Sequence, residues 1–410
     1  MRLSDIEAAE KLLSGITRVT PVESSRWLSE HVGSSVWLKA ENLQRTGSFK
    51  PRGAYVRLSR LSAEERQRGV VAASAGNHAQ GVALSAQLLG IRSTVFMPEG
   101  APIPKEHATR AYGADVILRG AVLEESLAAA RAFAEETGAT FIHPYDHADV
   151  IAGQGTVALE VLRQVPDVRT IVVPTGGGGL LAGMALAAKQ SRPDVRVVGV
   201  QAAGAASYPG SLEAHEPRAL AQVQTMADGI AVARPGDLTL PLVRDYVDEI
   251  VTVGEEAISH ALLLTLERAK LVVEPAGVVG VAALLERPST FEGPVVIILS
   301  GGNVDPLLLG KIIRHGLAAA GRYLTVDVAV ADAPGSLAGL LEVVAQAGAN
   351  VLEVSHLRTD PLLSVDEVEI HLQLETRGEP HAESLMAAIA AAGYVTRRSS
   401  ARGRASASEI

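Results

Sequence analysis

Residues 41–54, ENLQRTGSFKPRGA, contain Lys50 in a setting that could lower the pKa of its amine. Val36, Leu38 and Ala40 alternate with Trp37 and Lys39, which predicts a half-buried strand. After Lys50, apolar residues recur at helical spacing. Gly47 and Gly53 allow close backbone approach on either side of this junction. A lysine amine that is desolvated there can lose its proton and form a Schiff base. An ordinary surface lysine at a helix start would look the same locally.

Three later glycine-rich segments favour the chemical interpretation: residues 74–81 (SAGNHAQG), 176–180 (GGGGL) and 300–303 (SGGN). The tetraglycine follows the apolar run 170–173 and precedes an Ala-rich helix, so its backbone amides predict an anion site suited to phosphate. A flexible connection is the alternative. No nucleotide-phosphate loop or dinucleotide fingerprint is present. A phosphate site together with a Schiff-base lysine indicates pyridoxal phosphate.

Composition excludes several other functions. The chain has 410 residues, 47% hydrophobic and 3% aromatic, which predicts two to three domains with large cores. A net charge of −9 with interspersed signs argues against nucleic acid as a partner. With no cysteine there is no disulfide, thiolate nucleophile or Cys-ligated metal. The N-terminus is charged and no apolar run approaches about 18 residues, so we expect a cytoplasmic protein without a membrane span.

Strand, turn and helix alternate strictly up to about residue 318, which predicts an α/β fold with parallel sheets. From residue 320 the pattern changes to half-buried strands in the order βαββαβ, a ferredoxin-like unit that we expect to be a separate small domain. Residues 401–410 are rich in Ser, Arg and Ala and are predicted to form a disordered tail.

The four glycine-containing motifs resemble, in order and spacing, the threonine ammonia-lyase (threonine dehydratase) group of fold-type II pyridoxal-phosphate enzymes. The resemblance covers residues 5–318 and implies a catalytic domain over residues 1–320, with two open twisted parallel-sheet subdomains, the smaller at roughly 40–150. Residues 321–400 resemble an ACT regulatory domain, because Asp332-x-Pro-Gly-Ser-Leu is the usual opening of that module.

The resemblance implies a role for each motif residue. Lys50 would hold the cofactor and act as the base on the substrate Cα, with Phe49 packed beside the cofactor. Asn77 would bind the ring O3′, although a helix N-cap explains it too, and Ser300 would face the pyridine nitrogen. The phosphate site would be Gly176, Gly177, Gly178, Gly179 and Leu180; the substrate carboxylate would bind Ser74, Ala75, Gly76 and Asn77. Glu274 matches a family segment near the cofactor.

The implied reaction is the β-elimination of water from L-threonine, and from L-serine, to give 2-oxobutanoate or pyruvate and ammonia. Serine racemase is the nearest rival, followed by another β-eliminating or β-replacing enzyme and, remotely, a non-catalytic amino-acid sensor. Ala75 stands where racemases have a serine, and Gln201 and Ser207 stand where they have acidic metal ligands. His143, Asp146 and His147 cluster like metal ligands, but a polar turn is favoured, so no metal site is predicted.

The ACT resemblance implies regulation by an amino acid, isoleucine or valine, as in isoleucine biosynthesis, although a catabolic role stays open. The effector would bind near Asp332, Gly335 and Ser336 and near Asn350; a capping aspartate and a turn asparagine explain two of these equally well. Half-buried strands need a cover, which in this family is commonly a second copy. A homotetramer or homodimer is therefore expected.

Overall fold

The computed structural model describes residues 1–319, 321–358, 364 and 366–398. These residues form two compact units, Met1–Pro306 and a second unit from Leu307 onward. The predicted tail, residues 401–410, lies outside the described residues. None of the helices in the described ranges combines the length and apolar character that a membrane span requires.

The first unit contains two sheets. Their strands are β1 (Val22–Ser24), β2 (Val36–Lys39), β3 (Val70–Ala73), β4 (Ser93–Met97), β5 (Asp115–Leu118), β6 (Thr140–Phe141), β7 (Thr170–Pro174), β8 (Arg196–Ala202), β9 (Glu249–Val253) and β10 (Val295–Ile298). The large sheet has the order β1-β2-β10-β7-β8-β9, and the small sheet has the order β5-β4-β3-β6. All pairings are parallel except that of β1 with β2, so the predicted α/β class with parallel sheets is confirmed.

Helices cover both sheets. They are α1 (Leu3–Leu13), α2 (Arg26–Val32), α3 (Lys50–Ser59), α4 (Ala63–Arg68), α5 (Asn77–Leu89), α6 (Ile103–Ala111), α7 (Leu123–Thr137), α8 (Ala148–Gln164), α9 (Gly179–Ser191), α10 (Ser207–Ala214), α11 (Thr239–Tyr246), α12 (Glu255–Leu264) and α13 (Val279–Glu286). Helix α8 approaches α3 very closely at Gly153, where an added Cβ would lie 2.5 Å from the carbonyl oxygen of Arg52. This contact fixes the helix that begins at Lys50.

Two predictions about the region before Lys50 are wrong. Strand β2 is not half-buried: Lys39, expected on an exposed face, is fully buried because β1 and β10 flank the strand and α8 covers that face. The strand also does not lead directly into the helix, since two 3-10 turns, Glu41–Leu43 and Arg45–Gly47, lie between β2 and α3. Strand β1 was not predicted at all.

Buried charges join β2, α3 and α8. Lys39 Nζ lies 2.5 Å from Glu160 Oε2, and Arg52 Nη1 lies 2.7 Å from Glu160 Oε1. Arg52 also donates through Nε and Nη2 to the two oxygens of Glu41, both at 2.8 Å. We call Lys39, Glu41, Arg52 and Glu160 the buried charge cluster. Each charge in it has an opposite charge as a direct partner, as buried ions require.

The second unit has the predicted βαββαβ order. After α14 (Pro306–Ala319), its elements are β11 (Tyr323–Ala331), α15 (Ser336–Gln346), β12 (Asn350–Leu357), β13 (Glu367–Glu375), α16 (Glu379–Ala391) and β14 (Val395–Arg398). They form an antiparallel sheet in the order β12-β13-β11-β14. Its apolar face packs on α15 and α16 of the same chain. This face therefore gives no argument for a second copy, contrary to our reasoning from the sequence.

Candidate active site

Lys50 is the first residue of α3, where Pro51 is tolerated in the first turn. Its Nζ donates a hydrogen bond to the carbonyl oxygen of Pro144 at 3.2 Å and lies 5.2 Å from the centre of the Phe49 ring. Burial lowers the pKa of Lys50 to about 8, although the nearby Glu274 partly opposes this shift. A substantial neutral fraction of this amine is therefore present near physiological pH, as a Schiff-base lysine needs.

A cavity of about 450 Å³ opens beside Lys50. It lies at the carboxyl ends of parallel strands, where open α/β sheets bind ligands. The predicted cofactor and substrate residues all line it: Phe49, Lys50, Ser74, Ala75, Gly76, Asn77, Gly176, Gly177, Gly178, Gly179, Leu180, Glu274 and Ser300. The structure thus brings together every residue predicted for the catalytic domain.

The tetraglycine connects β7 to α9 and has no room for side chains. Gly178 has φ +94° and precedes the first residue of α9, so the loop places the backbone amides of a helix N-terminus at the cavity wall. A Cβ on Gly177 would lie 2.4 Å from the ring of Tyr145, and one on Gly178 would lie 1.8 Å from the hydroxyl oxygen of Tyr208. We call these two side chains the tyrosine pair. The loop is therefore held between two aromatic side chains.

Asn77 is held by side chains from two other loops. Its Nδ2 donates to Glu274 Oε1 at 2.7 Å, and its Oδ1 accepts a hydrogen bond from Asn303 Nδ2 at 2.7 Å. Asn303 also donates to the carbonyl oxygen of Thr46 at 2.6 Å. These bonds use the oxygen and one N–H of the Asn77 amide and so fix its orientation. The second N–H of the amide stays available to a ligand.

Glu274 is a buried acid, 3% exposed, at the wall of the cavity. Burial first, and then the charge of Asp228, raise its pKa to about 7. Two titratable groups in one cavity, Lys50 and Glu274, therefore have pKa values displaced toward neutrality, which is typical of an active site. His78 is not a third, because burial and the charge of Lys50 lower its pKa to about 3 and keep it neutral.

The loop predicted to bind the substrate carboxylate is residues 74–77. Gly76 precedes α5, and its N–H donates to Ser74 Oγ at 3.2 Å. Ser300 lies just after β10 and also lines the cavity; it is 3% exposed, and its carbonyl oxygen accepts a hydrogen bond from the Phe49 N–H at 3.2 Å. That bond ties the segment carrying Lys50 to the end of the large sheet.

These residues fit pyridoxal phosphate. The glycine loop offers helix-terminal amides with no Cβ in the way, which suits a phosphate, and Lys50 offers an amine of lowered pKa, which suits an aldehyde. The hydroxyl of Ser300 and the oriented amide of Asn77 suit the polar groups of a pyridine ring.

Several further residues line the cavity that the sequence motifs do not predict. Tyr145 crosses the tetraglycine, Gln154 has a buried Oε1 without a partner among the described residues, and Lys105 contacts Asp228 beside the cavity. No local pattern marks these four. Asn303 also holds the site through its hydrogen bonds, and its place after two glycines in the motif SGGN is the sequence signal for it.

His143, Asp146 and His147 form a polar turn. His143 Nδ1 accepts a hydrogen bond from the backbone N–H of Asp146 at 2.8 Å, and His147 Nδ1 accepts one from Asp149 at 3.1 Å. Asp146 in turn accepts from the backbone of Asp237 and Leu238. Among the described residues, no group of three His, Asp or Glu side chains is arranged to hold a metal ion.

The predicted regulatory residues belong to the second unit. Asp332 is paired with Arg358 at 3.2 Å, which lowers the pKa of this carboxyl. Gly335 has φ +95° and precedes Ser336, the first residue of α15. Asn350 Nδ2 lies 3.4 Å from Glu375 Oε2. These contacts explain Asp332 and Asn350 without a ligand.

The chain resembles known enzymes over most of its length. The model of the family described as pyridoxal-phosphate dependent enzyme matches residues 13–301. The L-threonine ammonia-lyase of Thermotoga maritima is 48% identical over 96% of this chain and 98% of its own, and that of Geobacter sulfurreducens is 47% identical over 95% and 97%.

Solved structures are similar to about three quarters of the chain. The threonine deaminase of T.th. has a TM-score of 0.71 and 43% identity, covering 74% of this chain and 99% of its own. Maize serine racemase has a TM-score of 0.73 and 38% identity, covering 78% and 98%. Structural similarity alone therefore does not separate a deaminase from a racemase.

Proposed function

The chain belongs to the pyridoxal-phosphate dependent enzymes, and from that membership we propose that it deaminates L-threonine by eliminating water, giving 2-oxobutanoate and ammonia. L-Serine would react in the same way to give pyruvate. The observation that carries the proposal is the position of Lys50, whose amine of pKa about 8 shares one cavity with the glycine loop and Ser300. Two L-threonine ammonia-lyases that match at least 95% of the chain support the choice of substrate.

The residues of the cavity divide the work of holding the cofactor. Lys50 would hold it covalently, the amides of the tetraglycine would bind its phosphate, and Asn77 and Ser300 would bind its ring. When bound, pyridoxal phosphate supplies the electron sink for breaking bonds at the substrate Cα. Ser300 is a neutral hydroxyl and would not keep the ring nitrogen protonated as a negatively charged carboxylate would, which suits elimination better than transamination.

Lys50 also performs the proton transfer. Its lowered pKa leaves part of the amine neutral, and a neutral amine at this position can take the proton from the substrate Cα. The amides of residues 74–77 hold the substrate carboxylate. Burial of His78 and its low pKa exclude it as an alternative acid or base.

The test is a ketoacid assay with L-threonine and L-serine on the purified enzyme loaded with cofactor. We expect ketoacid and ammonia in equal amounts, with Lys50→Ala as the inactive control. A wild-type enzyme that carries the cofactor but releases no ketoacid from either amino acid would refute the proposal.

Serine racemase is the second candidate, because the maize enzyme is similar in structure. Ala75 argues against it, since racemisation needs a second proton donor on the opposite face of the substrate and a methyl group cannot supply one. Gln201 is fully buried and bonds to the backbone of Ala205 and Tyr208, so it is a structural residue without the charge of a metal ligand. We expect ketoacid to exceed D-serine and a chelator to leave the rate unchanged.

We further propose that the second unit regulates the enzyme as an ACT domain. The βαββαβ order and the Asp332–Leu337 opening support this. We expect a homotetramer or homodimer in the cytoplasm that responds to isoleucine or valine through two states of different affinity. A chain ending at Arg322 should keep deamination and lose the response. If the truncated enzyme responded to the same amino acid at the same concentration, the effector would bind the first unit.

A further inference from the structure

Lys105 is a second cavity lysine to which the proposed reaction assigns no role. It lies in the first turn of α6, and its side chain is only 10% exposed. Its Nζ contacts Asp228 Oδ2, and a Cβ on Gly76 would lie 3.9 Å from the same nitrogen. The ammonium group therefore stands beside the loop of residues 74–77.

The contact of Lys105 with Asp228 joins the two halves of the first unit. Helix α6 packs against α5 and β5 of the small sheet. Asp228 begins the 3-10 turn Asp228–Ile230, between α10 and α11, on the side of the large sheet. Both residues line the cavity. The pair is thus placed where a ligand would lie between the two halves.

The two partners differ greatly in exposure. The side chain of Asp228 is 58% exposed, whereas that of Lys105 is 10% exposed. Asp228 can therefore release the ammonium and remain solvated, and an ion pair with one solvated partner is weak. Leaving Lys105 without a partner would cost free energy, because a desolvated ammonium needs an anion beside it. A different anion inside the cavity could take the place of Asp228.

The amides of residues 74–77 offer hydrogen bonds but no full charge. Lys50 already serves the cofactor and the Cα proton, and Arg234, also at the cavity, is paired with Asp237 at 2.7 Å. We propose that Lys105 binds the α-carboxylate of the amino-acid substrate, which replaces Asp228 as its partner. This inference rests on the proposed function of the cavity as an amino-acid site, and it adds a charged group to the carboxylate subsite.

The test uses the holoenzyme and a substrate analogue that cannot eliminate water. Binding of L-alanine and of L-alaninamide, which lacks the carboxylate charge, is measured by calorimetry for wild type, Lys105→Gln, Asp228→Asn and the control Lys189→Gln. Lys189 pairs with Asp248 at 2.8 Å outside the cavity. Cofactor absorbance verifies that every variant is loaded.

We expect Lys105→Gln to weaken L-alanine binding by about 10- to 100-fold, the usual worth of a hydrogen bond to a charged group, and to leave alaninamide binding unchanged. Asp228→Asn should not weaken L-alanine binding, because it removes the competitor for Lys105. Lys189→Gln should behave as wild type. In the threonine assay, Lys105→Gln should raise KM more than it lowers kcat.

Two results would overturn the role of Lys105. If Lys105→Gln and Asp228→Asn weakened both ligands alike, the pair would only tie the two halves together. If Lys105→Gln bound L-alanine as wild type does, the amides alone would form the subsite. Failure of the proposed reaction is distinguishable, since wild type would then bind L-alanine through Lys105 yet release no ketoacid from threonine.

Discussion

Two lysines eleven positions apart, Lys39 and Lys50, are treated in opposite ways by the same fold. Lys39 is fully buried in the buried charge cluster, with Glu160 at 2.5 Å and two further oxygens, those of Thr20 and Gln164, at 2.8 Å. Lys50 has one carbonyl oxygen at 3.2 Å and, within the described residues, no carboxylate at ion-pairing distance. A lysine whose three N–H donors are all paired is part of the scaffold. A lysine that has unpaired donors and faces a cavity is available for chemistry.

The largest effect on activity should come from removing Lys50. We expect Lys50→Ala to reduce threonine deamination by about 10⁴-fold or more, because both the covalent anchor and the proton acceptor are lost. Its free energy of unfolding should stay close to wild type, since the side chain has no ionic partner among the described residues and loses only the 3.2 Å hydrogen bond to the carbonyl oxygen of Pro144. Steady-state assays and chemical denaturation measure the two quantities, with Lys189→Ala as the control. A Lys50→Ala enzyme near the wild-type rate would break the contrast.

Removing a member of the buried charge cluster should have the reverse profile. Arg52→Met leaves the carboxylates of Glu41 and Glu160 without their shared partner, so we expect the free energy of unfolding to fall by about 3–5 kcal/mol. Activity per folded molecule should fall far less than in Lys50→Ala. Arg26→Met is the control, because Arg26 is an exposed arginine. If Arg52→Met were as stable as wild type, the cluster would not hold the scaffold.

The pKa of Lys50 can be read from the rate at which the apoenzyme captures pyridoxal phosphate. Only the neutral amine reacts with the aldehyde, so the rate should rise with pH and reach half its maximum near pH 8, not near 10.5. Stopped-flow absorbance follows the reaction, and Lys50→Ala should show no pH-dependent capture. A midpoint near 10.5 would mean that Lys50 is an ordinary surface lysine.

The smallest effect concerns Glu274, whose negative charge raises the pKa of Lys50 against the effect of burial. Glu274→Gln removes the charge and retains an oxygen that can accept the hydrogen bond from Asn77. The midpoint of cofactor capture should therefore move below pH 8, by a fraction of a pH unit. Asp245→Asn, at an exposed carboxylate, should not move it. A shift to higher pH in Glu274→Gln would contradict the assigned direction.

The residues of the candidate site could be predicted from the sequence where they belong to short motifs. The glycine motifs end or follow strands, so they meet at one edge of the sheets, and the cavity contains Lys50, the tetraglycine and Ser300 as expected. Prediction from the sequence failed for Lys39, because alternation within residues 36–40 carries no information about Glu160, 121 residues later. The same holds for Lys105 and Asp228, which are separated by 123 residues. Such pairs depend on how two halves of a unit pack, which no single segment encodes.

The tyrosine pair has a consequence for how this gene can change. Every base substitution that replaces Gly177 by another amino acid adds at least a Cβ, and that atom would lie 2.4 Å from the ring of Tyr145. Replacing Tyr145 by Phe keeps the ring, so it does not open a route. A substitution at Gly177 becomes tolerable only after Tyr145 has lost its ring. The order of mutations is therefore constrained: a change at Tyr145 that removes the ring has to come before a change at Gly177.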